Sequence, residues 1–331
     1  MTGGLLHIED VSVSFPVRGR RDWPWTPARA LKAVNDVSLS LSPGETLGIV
    51  GETGSGKSTL ARAIVGTLPV SGGVLAWRGK DLATLSAEER QSHRRDIQMV
   101  FQDPVSALNP RMAIGDIIAE PLVTHAPSTP KADVRTKVQN AMQQVGLPPA
   151  LINHHPREFT DGQCQRIGIA RALILEPQLL ICDEPVSALD VSVQGQIINL
   201  LAKLQRDLGL AMIFIAHDLS VVKQVSTRIA VMYLGRLMEV APTHELIGTP
   251  GHPYTKALLS SVPIPDPQLE ARRRPMMLDG DLPSPFAPPS GCVFRTRCPI
   301  ARAECALPDD REIWTADDRM VACPFHEDGV V

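Results

Sequence analysis

Residues 51–58 read Gly-Glu-Thr-Gly-Ser-Gly-Lys-Ser. Glycines, a lysine and a hydroxyl at this spacing suit one task, holding the phosphates of a nucleoside triphosphate. Backbone N–H groups from Gly51, Thr53, Gly54, Ser55, Gly56 and Thr59 can converge on phosphate oxygens, helped by a helix N-terminus. Lys57 would reach the β- and γ-phosphates, and the Ser58 hydroxyl would ligate Mg²⁺. A second group follows at the end of the apolar run Leu179-Leu-Ile-Cys-Asp183-Glu184. Asp183, at a strand end, is suited to the Mg²⁺ shell. Glu184, one residue on, would polarise the attacking water as general base. Paired carboxylates are common on surfaces; it is the octet at 51–58 that gives this pair its meaning.

The elements that must position these groups can be read from pattern. Thr46–Val50 is a short apolar run of the kind that forms a buried parallel strand, and Thr59–Val65 has helical spacing. Leu5–Phe15 and Val34–Leu41 alternate as strands. Arg18–Ala30 is basic, carries Trp23, Pro24, Trp25 and Pro27, and reads as a surface insertion. Ser86–Arg95 predicts a charged helix and Ile97–Phe101 a strand. Residues 111–160 are mostly helical in pattern, broken at Pro127, Pro130 and Pro148-Pro149. Gln178–Cys182 and Ala211–Ala216 are unalternating apolar runs, as buried parallel strands should be. Ser192–Leu208 between them predicts a helix. Alternating strands and helices imply an α/β fold around a parallel sheet.

Composition narrows the field. A chain of 331 residues with 44% hydrophobic residues can bury a large core and an appendage. A net charge of −3 gives no global argument for nucleic acid. Nowhere do eighteen apolar residues run together, so no span of the membrane is expected. The N-terminus lacks the basic and apolar regions of a signal peptide, and the cytosol is the expected compartment.

The order of motifs resembles the ATP-binding-cassette (ABC) ATPases over roughly residues 5 to 245. The resemblance implies a P-loop ATPase core with a parallel sheet, an antiparallel β subdomain and a helical subdomain at about 103–165. It places Phe101-Gln102-Asp103-Pro104 as the glutamine loop, with Gln102 at Mg²⁺ and water and the next segment against a membrane subunit. Ser187-Ala-Leu-Asp190 is similar to the loop that crosses the ATPase dimer interface. His217 corresponds to the switch histidine at the γ-phosphate. Phe15 stands where the family stacks a ring on adenine. In this family two ATPase domains pair head to tail, each ATP lying between one subunit's phosphate loop and the other's signature motif.

The signature here reads Phe159-Thr160-Asp161-Gly162-Gln163, where the family has Leu/Phe-Ser-Gly-Gly-Gln. Thr160 keeps the hydroxyl. Asp161 replaces a glycine whose backbone approaches the γ-phosphate and adds a negative charge. Two like charges at ~4 Å repel by ~4 kcal/mol at an effective dielectric of 20. The site completed by this chain's signature is therefore expected to be weak or inactive, and the one on its own phosphate loop hydrolytic. The alternative is a harmless Asp161 N-cap, where Asp is a preferred residue.

Beyond residue 250 the texture changes. Residues 262–289 hold eight prolines, an extended semi-rigid connector. Gly251-His-Pro-Tyr-Thr-Lys-Ala-Leu-Leu-Ser-Ser-Val-Pro263 and the tail with Cys292, Cys298, Cys305 and Cys323 resemble one branch of the family, the ATPase subunits of bacterial dipeptide, oligopeptide and nickel importers. The division expected is an ATPase domain over 1–250 and a connector with a cysteine tail over 251–331. The four cysteines, separated by five, six and seventeen residues, would staple a core-poor segment. Their spacing is not that of a zinc ribbon. An iron–sulfur cluster, zinc, or free or mutually paired thiols all remain open, and the resemblance points to a [4Fe–4S] cluster. Arg295 and Arg297 nearby would favour thiolate. Cys164 and Cys182 read as structural.

The branch implies ATP hydrolysis energising a peptide importer from the cytoplasmic face of the inner membrane, as a peripheral subunit. Its implied partners are a second, non-identical ATPase, two transmembrane permeases and an extracytoplasmic substrate-binding protein, with no nucleic acid. The form Phe-x-x-Gly-Gln-x-Gln-Arg suggests the second of the two ATPase types. Import of nickel or another small solute is an alternative. A soluble ABC ATPase outside transport is another, against which stand a single cassette and no heptad run.

Overall fold

The computed structural model describes residues 4–18, 29–262, 266, 268, 276, 278, 280–307, 313–314 and 319–325. Most of the basic insertion, residues 19–28, and much of the proline connector lie outside the described residues.

The elements begin with β1 (Leu6–Val17), β2 (Arg29–Leu41) and β3 (Thr46–Val50), followed by α1 (Lys57–Ile64). Next come β4 (Gly72–Trp77), β5 (Lys80–Asp81), α2 (Ala87–Asp96) and β6 (Ile97–Val100). The helices α3 (Ile114–His125), α4 (Lys131–Gln144) and α5 (Asp161–Leu173) precede β7 (Leu179–Asp183). Then follow α6 (Val191–Leu208), β8 (Ala211–Ala216) and the single turn α7 (Leu219–Val222). The remainder holds β9 (Arg228–Tyr233), β10 (Arg236–Pro242), α8 (Thr243–Gly248), α9 (Pro253–Ser261), β11 (Ile313–Trp314) and β12 (Met320–Val321).

The chain forms two compact units. The first holds residues 1–7, 40–46 and 76–216. In it β6, β7 and β8 run parallel, Ile97 opposite Leu179 and Leu179 opposite Ala211. Every residue of β7 and β8 is buried, as expected for parallel strands covered on both faces. The helices α3, α4 and α5 pack on one another. Apolar residues at helical spacing are buried in them, among them Ile114, Ile118 and Leu122 of α3 and Val138 and Met142 of α4. The sequence pattern placed the breaks correctly: Pro130 caps α4, and the Pro148-Pro149 pair starts a short 3₁₀ turn.

The second unit holds residues 8–39, 47–75 and 217–331. There β3 pairs parallel with β9, Val50 opposite Val231, and β9 pairs antiparallel with β10. Leu234 and Gly235, both with positive φ, make the two-residue turn between β9 and β10. The tail adds to this sheet through β12, which pairs antiparallel with β10, and β11, which pairs with β12. A separate, antiparallel sheet has the order β2-β1-β4-β5. Among the described residues, no helix is long and apolar enough to cross a membrane.

The tail is not a core-poor unit needing its own staple. Phe294 is fully buried and packs its ring against Tyr233, Tyr254 and His252, at centroid separations of 5.4, 5.3 and 5.7 Å. It therefore shares an aromatic core with β9 and α9, a sharing that its distance along the chain concealed.

Candidate functional site

The phosphate loop follows the buried strand β3 and enters α1 at Lys57. Gly51 has a φ of 154°, and a Cβ there would lie 2.1 Å from the Met232 carbonyl oxygen. Gly56, the N-cap, has a φ of 101°, with the Ala33 carbonyl 2.2 Å from where its Cβ would be. Only glycine fits either position. No side chain caps α1, and its first turn carries no acidic residue. The positive dipole end of α1 therefore faces the loop with no carboxylate of its own first turn opposing an anion. The Lys57 ammonium is held inside the loop, donating to the carbonyls of Gly51 at 2.8 Å and Glu52 at 2.9 Å. Thr53 and Gly54 are exposed, and Ser58 and Thr59 are half-buried on the first turn of α1. In the same unit Phe15 lies half-buried on β1, and His217 is exposed just before α7.

The carboxylates belong to the first unit. Asp183 is the last residue of β7 and is buried. Glu184 adopts a φ of 46°, a costly conformation for a side chain with a Cβ. Its N–H donates to the Ile215 carbonyl at 3.0 Å, which anchors the bend to β8. Its carboxylate accepts from Gln102 Nε2 at 3.0 Å. Two residues 82 positions apart thus meet. The β6 strand ends at Val100, one residue earlier than the pattern predicted, and Phe101 is exposed with Arg171 over its ring at 5.9 Å.

The signature occupies the start of α5. Thr160, not Asp161, is the N-cap: its hydroxyl accepts from the Gln163 N–H, while Gln163 Oε1 accepts from the Thr160 N–H at 3.0 Å. This reciprocal capping box removes the alternative in which Asp161 is itself the N-cap. Asp161 is the first helical residue and is exposed. Gly162 lies against α6: a Cβ would come within 2.6 Å of Val193. Just before α6, Ser187 Oγ donates to the Glu184 carbonyl at 3.1 Å, and Asp190 is exposed at the helix start.

Cys292, Cys298, Cys305 and Cys323 all line one cavity of about 350 Å³. Their donor set suits a cluster held by four thiolates. Among the described residues, however, no three His, Cys, Asp or Glu side chains already stand as a metal-ligand set. At Cys298 no arginine offsets the cost of burial. Burial and the neighbouring sulfurs push the Cys298 thiol up to about 11. Arg295 is turned to Ser290, and Arg297 to Glu52. The two remaining cysteines are structural: Cys164 is buried with Sγ 3.6 Å from the Pro156 carbonyl, and burial strongly raises the thiol of Cys182 in β7.

Two groups without sequence signal adjoin these motifs. Glu52, inside the phosphate loop, bonds to Tyr254 and Arg297. Glu239 of β10 is fully buried and accepts from the N–H groups of Gly251 and His252 and from Arg319 Nη2, at 2.8, 2.9 and 3.0 Å. That carboxylate fastens the entry of α9 and the tail to β10.

Residues 34–187 match the family described as ABC transporter, and residues 238–305 match the family Oligopeptide/dipeptide transporter, C-terminal region. The oligopeptide transport ATP-binding protein OppF of Salmonella typhimurium is 60% identical over 91% of this chain and 90% of its own length. The protein of the same name in Escherichia coli is 58% identical over 91% and 90%. A solved structure of cbiO1 from Clostridium perfringens, part of the ABC transporter complex cbiONQ, superposes with a TM-score of 0.64 at 26% identity, covering 75% of this chain and 92% of that one. With its uncapped phosphate loop, its Gln102–Glu184 pair and these likenesses, the chain belongs to the ABC transporter ATPases, among the oligopeptide-type ATP-binding proteins.

Proposed function

We propose that this chain hydrolyses ATP to energise the import of oligopeptides, as the second of two different ATPase subunits on the cytoplasmic face of the membrane. The observation that carries hydrolysis is the 3.0 Å bond between Gln102 and Glu184, which aims a carboxylate on a strained backbone. The match of residues 238–305 to the oligopeptide/dipeptide C-terminal region carries the substrate class. In this reading Lys57 and the loop N–H groups bind phosphate, and Ser58, Gln102 and Asp183 hold Mg²⁺. Phe15 stacks on the base. Glu184 takes the proton of the attacking water, His217 contacts the γ-phosphate, and Asp190 faces the partner ATPase. Thr160, Asp161, Gly162 and Gln163 face the partner's nucleotide, where Asp161 weakens binding. Two permeases and an external binding protein complete the assembly.

The test is reconstitution of this chain with permeases and a second ATPase co-purified from its native cell, in proteoliposomes with a binding protein. Peptide uptake that requires ATP and stops with Glu184→Gln supports the reading. Uptake of nickel but not peptide, or ATPase activity with no permease association, overturns it. For the tail we propose a cluster on Cys292, Cys298, Cys305 and Cys323, supported by their shared cavity. Iron and acid-labile sulfide analysis of protein purified without air tests it, and zinc or no metal refutes it.

A further inference from the structure

Glu52 lies in the phosphate loop, and its side chain is committed to the C-terminal tail. Its backbone N–H donates to the Tyr254 hydroxyl at 3.0 Å. Its carbonyl accepts from Lys57 Nζ at 2.9 Å. Its carboxylate accepts from Arg297, whose Nη1 lies 2.9 Å from both oxygens. The Arg297 side chain is 11% exposed and that of Glu52 29%, so water screens the pair only in part. Arg297 is itself held from the other side, with its guanidinium 5.9 Å from the Tyr233 ring centroid and Nη1 3.4 Å from the Tyr233 hydroxyl. Its N–H donates to the carbonyl of the buried Phe294 at 2.9 Å.

One residue thus joins the lysine that meets phosphate to two side chains lying 202 and 245 positions downstream. A carboxylate in a phosphate-binding loop opposes a polyanion unless a cation neutralises it, and Arg297 supplies that cation. A tether on the Glu52 backbone also sets where its carbonyl stands, and with it the Lys57 ammonium. We propose that the C-terminal tail positions the phosphate loop for nucleotide through Glu52, with Arg297 and Tyr254 as positioning residues. This rests on the reading of residues 51–58 as an ATP site and adds a role for the tail that does not involve its cysteines.

The experiment measures the ATP Kd of the purified full-length chain by titration calorimetry, and KM and kcat of the assembled complex, with melting temperatures alongside. Arg297→Gln should raise the Kd and KM for ATP roughly ten-fold, the size of one charge-assisted contact, with kcat little changed. Arg297→Lys should recover part of the loss. Glu52→Gln should relieve Arg297→Gln, because the uncompensated charge is gone. The proposal is overturned if Arg297→Gln melts normally and binds ATP as the wild type does. It is equally overturned if affinity falls only in step with melting temperature, or if Glu52→Gln gives no relief. Lys57→Ala separates the two readings. If that variant binds ATP normally, the nucleotide site itself is misassigned; if it does not bind while Arg297→Gln is unaffected, only the tail's role fails.

Discussion

The N-termini of α1 and α5 are both glycine-bearing turns into helices, and the molecule treats them in opposite ways. At α1 the cap is Gly56, which makes no side-chain cap bond, and the first turn carries no acidic residue. At α5 Thr160 and Gln163 satisfy two N-terminal N–H groups between themselves, and Asp161 adds a negative charge to the first turn. A helix leaves its first four N–H groups without intrahelical partners. At α5 the chain's own side chains cap two such groups, whereas at α1 no side chain caps the helix start.

The strongest challenge to this contrast targets the site built on α1. Glu184→Gln should abolish turnover, by roughly a hundred- to ten-thousand-fold for loss of a general base, while ATP binding to the phosphate loop survives. Single-turnover assays in the assembled complex would read it, and near-normal hydrolysis would show that Glu184 is not the general base. Asp161→Gly should tighten nucleotide at the α5 side by on the order of 1 kcal/mol, because an exposed charge is largely screened. No gain in ATPase at saturating ATP would remove Asp161 as the cause of asymmetry. Thr160→Ala should lower stability by about 1 kcal/mol or less through loss of the cap, readable in thermal melts. A larger fall in ATPase than in stability would mean that the hydroxyl serves the partner's nucleotide as well as its own helix.

A third helix start sharpens the same point through pH. His252 caps α9, its Nδ1 accepting from the Tyr254 N–H at 3.0 Å, and burial pushes the imidazole down to about 3. In the unfolded chain the same ring titrates near 6.5. The folded pKa is the lower one, so on acidification the unfolded chain takes up its proton first. This stabilisation is present above about pH 6.5 and is lost as pH falls toward about 3. His252→Asn keeps a capping oxygen and removes the titration. Its melting temperature should fall less steeply than the wild type's across that window, and parallel slopes would show that other groups dominate acid unfolding.

Much of this site was legible without coordinates. The octet at 51–58 is local: its glycines are needed for backbone conformations set within eight residues, and β3 and α1 flank it as the apolar and helical spacing predicts. Asp183 closes an apolar run whose full burial in β7 follows from composition alone. The alternative of an Asp161 cap at α5 was open because Thr160 and Asp161 are both good caps, and local sequence does not say which adopts the extended conformation. The Arg297 expectation failed for another reason. Its position beside Cys298 suggested a partner in sequence, whereas the guanidinium turns to a carboxylate 245 residues away.

By itself the sequence determined the family, and it pointed to phosphate binding and to the two carboxylates, because each depends on residue types at short, fixed spacing. Only the tertiary structure decided that Gln102 meets Glu184, that Glu239 is buried to fasten α9 and the tail, and that Glu52 is claimed by Tyr254 and Arg297. Those pairings form where packing brings distant segments together, and a partly buried charge then takes the nearest opposite charge or donor, however far off along the chain.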